Sequence, residues 1–567
     1  MNTQLCTIRI ETLGCRLNQT EAESFATLCT DAGFSLYHNH TGYYGASNTT
    51  RDISAGAAEL PPLHDAAAMH SALRRAQPVT GIGNIPEQGT TAQPLAEEDI
   101  ATAFATQQEA APKAPCFSVS LPPEHTVLCF VNTCTVTGKA EQKARRLIRL
   151  LAKTHPQAVI LVTGCYAQLE AIEIEALHPH VIAFPGQQKD VLTALPAYLA
   201  DLVQSSASPD TVLLLSALRT FLTSLTAKEI NGTPTFDAPP AQPVHNVLYP
   251  ARQNRQLFAL SASRFLFHSR AFLKIQDGCN AACAYCRIRL ARGKSVSLPA
   301  ADVIARLRSI EKAGIPEVTL SGVNLSQYRS EAGDFAGLLK LILEKSRIRI
   351  RISSLYPDRI DEALIPLLGH PQVCPHFHLS VQSGSNAVLR KMRRSYTRET
   401  IYRAVTELRR IKDHPFIGVD IITGFPGETD DDFEDTYRMC SELSFAGIHA
   451  FPFSARPGTE AWNMQPKIPE RVAGQRVKKL NGLAERQAAA YLQAWDGKTV
   501  YGVTEAPRNG LHTVITENYL SLPLTEHSLH SAAVLYGGEY VRIRVQGNQA
   551  ELLEVSGTRP LQRSANG

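Results

Sequence analysis

Residues 276–293 read "QDGCNAACAYCRIRLARG", and three cysteines lie close together in this stretch, Cys279, Cys283 and Cys286. A zinc site usually adds a fourth nearby ligand, as a second Cys-x-x-Cys or a pair of histidines, and neither follows here. A structural disulfide would leave one thiol over and suits an oxidising compartment. Three thiolates with one position left open are typical of an iron–sulfur cluster whose fourth iron binds something else. We therefore expect a cluster with a free coordination site.

The composition is that of an ordinary globular protein. The chain has 567 residues, of which 44% are hydrophobic and 19% charged, and its net charge is +4. This length allows three or four domains. The longest apolar runs are far shorter than the roughly 20 residues needed to cross a bilayer. The first residues, "MNTQLCTIRIETLGC", lack the pattern of a secretory signal. We expect a cytoplasmic protein with no membrane partner.

The first part of the chain alternates strand and helix patterns, which predicts a parallel sheet. Three of its strand patterns, "TIRIETLGC", "TVLCFVNTC" and "AVILVTGC", end at Cys15, Cys134 and Cys165. The carboxyl ends of parallel strands lie at one edge of a sheet, where ligands bind. A single cysteine of this kind is more often a small buried apolar residue. Three at the same point of successive units favour a second metal site.

From about residue 270 the alternation resumes with six further strand patterns. These are "AFLKIQDG", "EVTLSGVN", "RIRISSL", "HFHLSVQ", "FIGVDIITG" and "GIHAFPFS". Six strand–helix units instead of eight predict an incomplete barrel that is open on one side. Polar residues and glycines cluster at the strand ends, where α/β barrels build active sites. They include Ser321, Gly322, Gln382 and Ser383.

The sequence divides into four regions. Residues 1–204 form the N-terminal α/β domain, interrupted at about 41–123 by a segment rich in Ala, Pro, Thr and Gln, whose composition predicts a partly disordered surface insertion. Residues 205–262 read as a linker or insertion with some helix. Residues 263–494 form the barrel core. Residues 495–560 contain short strands with turns and little helix, which predicts a small β-barrel.

The spacing of Cys279, Cys283 and Cys286 after the first barrel strand resembles the mark of the radical SAM superfamily. Its members hold a [4Fe–4S] cluster on three thiolates, and the open iron binds S-adenosyl-L-methionine. The resemblance implies that Tyr285 packs the adenine of this cofactor. Ser321, Gly322, Gln382 and Ser383 are the further candidates for binding it.

Further motifs resemble those of methylthiotransferases, a radical SAM subfamily that inserts sulfur into a C–H bond and methylates it. "TLGCRLNQTEAE", "VNTCTVTGKAEQK" and "TGCYAQ" match its N-terminal motifs, and "LSVQSGSNAVLRKMRRSYTRE", "DIITGFPGETDDDFEDT" and "FPFSARPGTEA" match its core. The resemblance implies a second [4Fe–4S] cluster on Cys15, Cys134 and Cys165. It also implies that the C-terminal barrel is an RNA-binding TRAM domain.

The resemblance covers about residues 1–40, 124–200 and 264–557. The motifs "NTCTVT" and "GCYAQ" are most similar to the branch that modifies N6-threonylcarbamoyladenosine at position 37 of tRNA. Other branches modify isopentenyladenosine in tRNA or an aspartate of a ribosomal protein, and an RNA-binding protein without catalysis is the alternative outside enzymes. The resemblance implies the anticodon arm of tRNA as partner and a reducing donor such as flavodoxin or ferredoxin. The sulfur donor stays unknown, and we expect a monomer.

Two features depart from the family pattern. Cys15 and Cys134 are 119 positions apart, much further than is usual in the family. Arg287 and Val296 replace the residues that usually follow the last cysteine, which puts loop contacts to the substrate in doubt.

The segment 387–412 has nine Lys or Arg residues against two Glu. Such a basic run either binds phosphates or forms a solvated helix surface.

Overall fold

The structure is a computed structural model, and it describes residues 6–38, 125–205, 210–231, 256–262, 265–507, 510–525, 528 and 537–556. The predicted insertion at about 41–123 lies outside the described residues. Within them, two groups of parallel strands precede one group of antiparallel strands. This order confirms the α/β fold class with a small C-terminal β-barrel.

Five parallel strands form the N-terminal sheet, in the order β2-β1-β3-β4-β5. They are β1 (Thr7–Thr12), β2 (Ser35–His38), β3 (Thr126–Thr133), β4 (Val159–Gly164) and β5 (Val181–Ala183). Strand β4 is buried at every position, as expected for a parallel strand with both faces covered. The edge strand β2 was not anticipated, because its four residues are too few to show a periodic pattern.

The helices of this region are α1 (Arg16–Asp31), α2 (Gly138–Thr154), α3 (Cys165–Leu169), α4 (Ala171–Glu175), α5 (Leu195–Ser205) and α6 (Thr211–Asn231). Helix α6 lies in the segment that we read as a linker. Its residues Leu214, Leu218 and Leu222 are spaced by four, so they share one helix face. All three are buried in the same core as Phe25 and Phe130. The segment therefore completes the N-terminal core.

Six strands form the barrel core, as the sequence predicts. They are β6 (Ala271–Lys274), β9 (Glu317–Ser321), β10 (Arg349–Ile352), β11 (His376–Gln382), β12 (Phe416–Thr423) and β13 (Gly447–Pro452). They make two parallel sheets, β6-β9-β10 and β11-β12-β13. A parallel bridge between Leu355 and Leu379 joins the two sheets. Among the described strands, β6 and β13 do not pair, so the barrel is incomplete.

A short hairpin, β7 (Gln276–Asp277) and β8 (Val296–Ser297), follows the first barrel strand and encloses the cysteine loop. The helices of the core are α7 (Ile288–Arg292), α8 (Ala300–Lys312), α9 (Phe335–Lys345), α10 (Ile365–Leu368), α11 (Asn386–Lys391), α12 (Arg398–Ile411), α13 (Asp430–Leu443) and α14 (Glu470–Gln493). Across the described residues, no helix has both the length and the apolar character needed to cross a membrane.

The C-terminal strands form an antiparallel sheet in the order β16-β15-β14-β17-β18. They are β14 (Thr499–Thr504), β15 (Thr513–Thr516), β16 (Ser521–Pro523), β17 (Tyr540–Gln546) and β18 (Gln549–Ser556). A bridge between Leu524 and Ala550 links the two outer strands. This bridge closes the sheet into the predicted small barrel.

Buried charges join this small barrel to the core. The Glu317 carboxylate accepts from Arg351 at 2.7 Å and pairs with Arg349, also at 2.7 Å. Arg351 in turn donates to the carbonyls of Thr516 and Glu517 in the small barrel. A buried guanidinium needs such partners, because burial without them is costly. The small barrel is therefore an integral part of the folded core.

Candidate iron–sulfur centres

The loop that carries Cys279, Cys283 and Cys286 is held in shape by its own backbone. Gly278 has a φ of +67°, and a Cβ there would lie 2.0 Å from the carbonyl oxygen of Lys294. Only glycine fits this position without displacing the chain. The Cys279 N–H donates to the Gly293 carbonyl at 3.1 Å, and the Cys286 N–H donates to the Cys283 carbonyl at 3.1 Å. The loop therefore presents its three thiols from one compact turn.

Burial of this loop works against the thiolate form of its cysteines. Burial, together with the neighbouring thiols of Cys283 and Cys279, raises the pKa of Cys286 to about 12. Burial also raises the pKa of Cys279, whose sulfur accepts from the Ala281 N–H at 3.4 Å. Because only thiolates bind iron, cations must offset this cost.

Arg394 is a cation beside this loop that sequence reasoning missed as a site residue. Its Nη1 donates to the Cys283 sulfur at 3.2 Å and to the Tyr356 hydroxyl at 2.9 Å. Its Nε donates to the Tyr396 hydroxyl at 2.7 Å. No carboxylate of the described residues forms an ion pair with it. A half-buried guanidinium held by neutral partners favours anionic sulfur next to it.

The structure places the predicted cofactor-binding residues near the carboxyl ends of core strands and beside the cysteine loop. Tyr285 is partly buried and contacts Phe425 edge to face, with ring centroids 6.5 Å apart. Gly322 packs tightly on Gln276, since a Cβ there would lie 2.9 Å from its Oε1. Ser321 is buried at the end of β9.

Two of the predicted cofactor contacts lie at the end of β11. The backbone of Gln382 has a φ of 71°, which is uncommon for a residue with a side chain. The Ser383 hydroxyl lies 3.2 Å from that of Thr436 and accepts from the Ser385 N–H. Ser383 therefore shapes this turn, and the role of all five residues in cofactor binding stays a prediction.

Cys15, Cys134 and Cys165 meet at one edge of the N-terminal sheet, as the positions of the strand ends predict. Gly14 has a φ of +123°, and a Cβ there would lie 2.6 Å from the Cβ of Cys134. Burial, together with the nearby thiols of Cys165 and Cys15, raises the pKa of Cys134 to about 12. The structure thus brings together three residues from the carboxyl ends of three strands, β1, β3 and β4.

Both triads fit the requirements of a cluster. The eleven described cysteines are free thiols. Within the described ranges, no three His, Cys, Asp or Glu side chains are close enough to ligate a single metal ion. Thiolates that hold a [4Fe–4S] cluster bind separate iron atoms, so such a triad is wider than a single-ion site. Each triad also has one guanidinium directed at a sulfur, which complements an anionic cluster.

At the N-terminal triad the guanidinium belongs to Arg292, at the end of α7 in the barrel core. Its Nε donates to the Cys165 sulfur at 3.2 Å, and its Nη2 donates to the Asn18 side-chain oxygen at 2.7 Å. Its Nη1 contacts both carboxylate oxygens of Asp277, at 2.9 and 3.0 Å. One side chain of the core therefore reaches the second triad.

Glu21 anchors the same interface from helix α1. It pairs with Lys189 at 2.6 Å and with Lys274 at 3.2 Å, and its side chain is fully buried. Burial alone would raise the pKa of Glu21, but the charges of Lys189, Lys274 and Arg292 outweigh burial and lower it to about 2. The carboxylate is therefore charged wherever the protein is folded at ordinary pH.

A second set of ion pairs crosses the interface. Arg287, which departs from the family pattern, pairs with Glu170 at 2.8 Å and with Glu141 at 3.4 Å. Arg456 also donates to Glu141. Arg287 is buried, so its contacts are with the N-terminal domain. The departure therefore serves domain packing.

On β11, Phe377, Leu379 and Val381 belong to the hydrophobic core. The alternate residue His378 therefore faces the inside of the barrel. His378 Nδ1 lies 2.8 Å from the Ser354 hydroxyl, and Nε2 lies 3.3 Å from the Asp420 carboxylate. The strand pattern "HFHLSVQ" contains this signal, because the polar residues of the strand alternate with apolar ones.

The basic segment 387–412 is mostly engaged within the protein. Arg398 pairs with Asp435 at 3.0 Å, and Lys412 donates to the carbonyl of Val373 at 2.8 Å. Among the described Lys and Arg residues of the segment, Arg390 and Arg403 are the two whose side chains have no polar partner. The interpretation of the whole run as a phosphate-binding surface is therefore too broad.

Comparison with known proteins finds family matches over the cysteine loop of the core and over part of the N-terminal sheet. Residues 273–440 match the Radical SAM superfamily, and residues 114–186 match Uncharacterized protein family UPF0004. A threonylcarbamoyladenosine tRNA methylthiotransferase MtaB of Treponema pallidum is 52% identical over 75% of this chain and 91% of its own length. A Bacillus subtilis protein of the same name is 31% identical, over 69% of this chain and 80% of its own.

A relative of the other tRNA branch is less similar than the Treponema pallidum protein and about as similar as the Bacillus subtilis protein. A tRNA-2-methylthio-N(6)-dimethylallyladenosine synthase of Solibacter usitatus is 32% identical over 65% of this chain and 75% of its own length. Among solved structures, the radical S-adenosylmethionine methyltransferase TsrM of Kitasatospora setae is 14% identical, with a TM-score of 0.43, over 80% of this chain and 76% of its own. The chain belongs to the radical SAM methylthiotransferases, in the MtaB-type threonylcarbamoyladenosine branch.

Proposed function

We propose that this protein is a tRNA methylthiotransferase. It inserts sulfur at C2 of N6-threonylcarbamoyladenosine at position 37 of tRNA and methylates it, giving the 2-methylthio derivative. The observation that carries the proposal is the pair of cysteine triads, one in a core loop and one at the edge of the adjoining sheet, in a chain 52% identical to a relative of that name.

In this function the two triads hold two [4Fe–4S] clusters. Cys279, Cys283 and Cys286 ligate the cluster that binds S-adenosyl-L-methionine, and the auxiliary cluster is ligated by Cys15, Cys134 and Cys165. When bound, these groups supply an electron, a 5′-deoxyadenosyl radical, the sulfur site and a methyl group.

The protein's own residues shape the reaction site. Arg394 fixes the sulfur of Cys283 at 3.2 Å and is itself held by Tyr356 and Tyr396. To Tyr285, next to the last cysteine of the loop, we assign the packing of the adenine of the cofactor. Buried contacts of Glu21 and Arg292 keep the N-terminal sheet against the core.

The proposal includes the partners and the domain division. The anticodon arm of tRNA is the substrate, and a donor of the flavodoxin or ferredoxin type supplies electrons. The protein acts as a cytoplasmic monomer. The N-terminal domain comprises residues 1–204, the radical SAM core 263–494 and the TRAM domain 495–560, with 205–262 contributing helix α6 to the first.

Nucleoside mass spectrometry of tRNA from a deletion strain tests the proposal. We expect 2-methylthio-threonylcarbamoyladenosine to disappear while its unthiolated precursor accumulates, and the wild-type gene to restore it. If the isopentenyl counterpart disappears instead, the protein belongs to the neighbouring branch. If both persist and a modified ribosomal aspartate is lost, the substrate is a protein.

A further inference from the structure

We propose that Arg292 is a positioning residue for the auxiliary centre: it holds the three cysteine loops together from the radical SAM domain and raises the reduction potential of the cluster bound there. The inference rests on the proposed assignment of Cys15, Cys134 and Cys165 as ligands. It concerns a residue outside both triads.

The side chain of Arg292 is fixed on every side. It is 5% exposed, and its three nitrogens point in three directions, to the sulfur of Cys165, to Asn18 and to Asp277. Nη1 contacts both oxygens of the Asp277 carboxylate and Nη2 donates to Asn18, so two corners of the guanidinium are held by fixed partners. The Nε–H is thereby directed at the Cys165 sulfur.

Asn18 extends this contact to the other two cysteine loops. Its Nδ2 donates to the carbonyl of Leu13 and to the carbonyl of Thr133, each at 3.0 Å. Thr133 directly precedes Cys134, and Leu13 lies two residues before Cys15. Because the Asn18 oxygen accepts from Arg292, a single guanidinium is connected to all three loops.

Both the charge of Arg292 and its hydrogen bond to Cys165 affect the reduction potential of the cluster. Reduction adds a negative charge, and a nearby buried cation stabilises the more negative state. Hydrogen bonds to cluster sulfurs act in the same direction among the factors that set the potential. The carboxylates of Asp277 and Glu21 offset part of this charge, since their oxygens lie 2.9 and 3.6 Å from Nη1 of Arg292. Lysine cannot replace the three-way contact, because an ammonium lacks the planar fork.

The test uses full-length protein in which Cys279, Cys283 and Cys286 are all changed to Ala, so that the auxiliary cluster alone remains. Iron is counted after anaerobic reconstitution, and the midpoint potential is measured by redox titration followed by electron paramagnetic resonance. Arg292→Met is compared with Arg289→Met, a change on the same short helix at an exposed residue.

We expect Arg292→Met to lower the ratio of reduced to oxidised cluster at least tenfold at a fixed potential, which is about 59 mV for a one-electron couple. Arg289→Met should leave the potential unchanged. Asp277→Asn removes the offsetting carboxylate and should shift the potential upward. Opposite signs for these two changes distinguish a charge effect from loosening of the site.

The outcomes separate this inference from the assignment of the ligands. If the triple cysteine variant binds no iron, the ligand assignment is wrong and the inference fails with it. About four iron atoms with the same potential in Arg292→Met and its parent would overturn the role of Arg292 alone. If Arg292→Met loses its iron while Arg289→Met keeps it, the holding role is supported, and Asp277→Asn then decides the effect on potential.

Discussion

The thiols of Cys279, Cys283 and Cys286 come from a single loop, whereas Cys15, Cys134 and Cys165 come from the carboxyl ends of three strands of a sheet. In the first case Gly278 and a few backbone hydrogen bonds fix the geometry. In the second case the strands, Asn18 and a residue of the next domain are all needed. A local triad therefore depends mainly on its own loop, while an assembled triad depends on the packing between domains.

The largest expected effect is the loss of one of the two clusters when one triad is removed. Changing Cys279, Cys283 and Cys286 together to Ala should lower the iron content from about eight to about four atoms per chain, because each [4Fe–4S] cluster holds four. Cleavage of S-adenosyl-L-methionine to 5′-deoxyadenosine should disappear. Iron analysis and chromatography of the nucleoside measure both. Iron near four in the unmodified protein would contradict the presence of two clusters.

A change in the assembled triad alone should leave the cleavage of S-adenosyl-L-methionine intact. Cys15→Ala removes a ligand of the assembled triad only, so 5′-deoxyadenosine should still form while the methylthio group is not inserted. Cys29→Ala is a suitable control, since Cys29 is a buried thiol of the same helix region outside both triads. Cleavage that depends on Cys15 but survives Cys283→Ala would reverse the two roles.

A smaller effect tests whether the assembled triad depends on the domain interface. Glu21→Gln leaves the cations of Lys189 and Lys274 without their buried carboxylate, and we expect a loss of about 3 kcal/mol in the free energy of unfolding. Iron should be lost from the assembled triad before the local one. Urea unfolding followed by circular dichroism measures the stability, with the exposed Glu344→Gln as control.

The pH dependence of this effect has a defined sign. The folded pKa of Glu21 is about 2, below its ordinary value of 4.5. Its carboxylate therefore stabilises the fold fully above about pH 4.5, and the contribution is lost as the pH falls towards 2. The difference between wild type and Glu21→Gln should shrink over that window. A difference that is constant from pH 7 to 3 would contradict the ion-pair explanation.

The smallest effect should leave both triads untouched. Arg390 and Arg403 are the exposed cations of the basic segment without a described polar partner, so changing both to Gln should leave up to two phosphates of the tRNA without a protein cation. The slope of log affinity for tRNA against log salt should then become shallower by about 0.9 for each such phosphate. Iron content should not change. The paired Arg410→Gln is the matched control, since Glu407 already neutralises it.

Site residues could be predicted from the sequence where they lie in one loop or at the ends of parallel strands. The spacing of Cys279, Cys283 and Cys286 lies within one loop, and the convergence of the other triad follows from parallel strands ending at one edge. The sequence did not predict which side chains contact the cysteine sulfurs. Arg292 and Cys165 are 127 positions apart, and no periodic pattern connects two such residues.

Arg394 was hidden for a different reason. It lies among nine cations of a run that is typical of a solvated surface, and only the fold turns it towards Tyr356 and Cys283. Helix α6 was read as part of a linker because the flanking Pro- and Asn-containing stretch dominated the composition. Its three leucines nevertheless complete the N-terminal core.

The contact between Arg292 and the N-terminal triad also determines when, during translation, this triad can be fully assembled. Cys165 is translated 127 residues before Arg292. At about 5–20 residues per second, the last of the three auxiliary cysteines waits on the order of ten seconds before its guanidinium partner has been added to the chain. During that interval the nascent chain carries three thiols without the fork that joins their loops. If Cys15, Cys134 and Cys165 ligate a cluster as proposed, their site is therefore complete only after the radical SAM domain has begun to emerge from the ribosome.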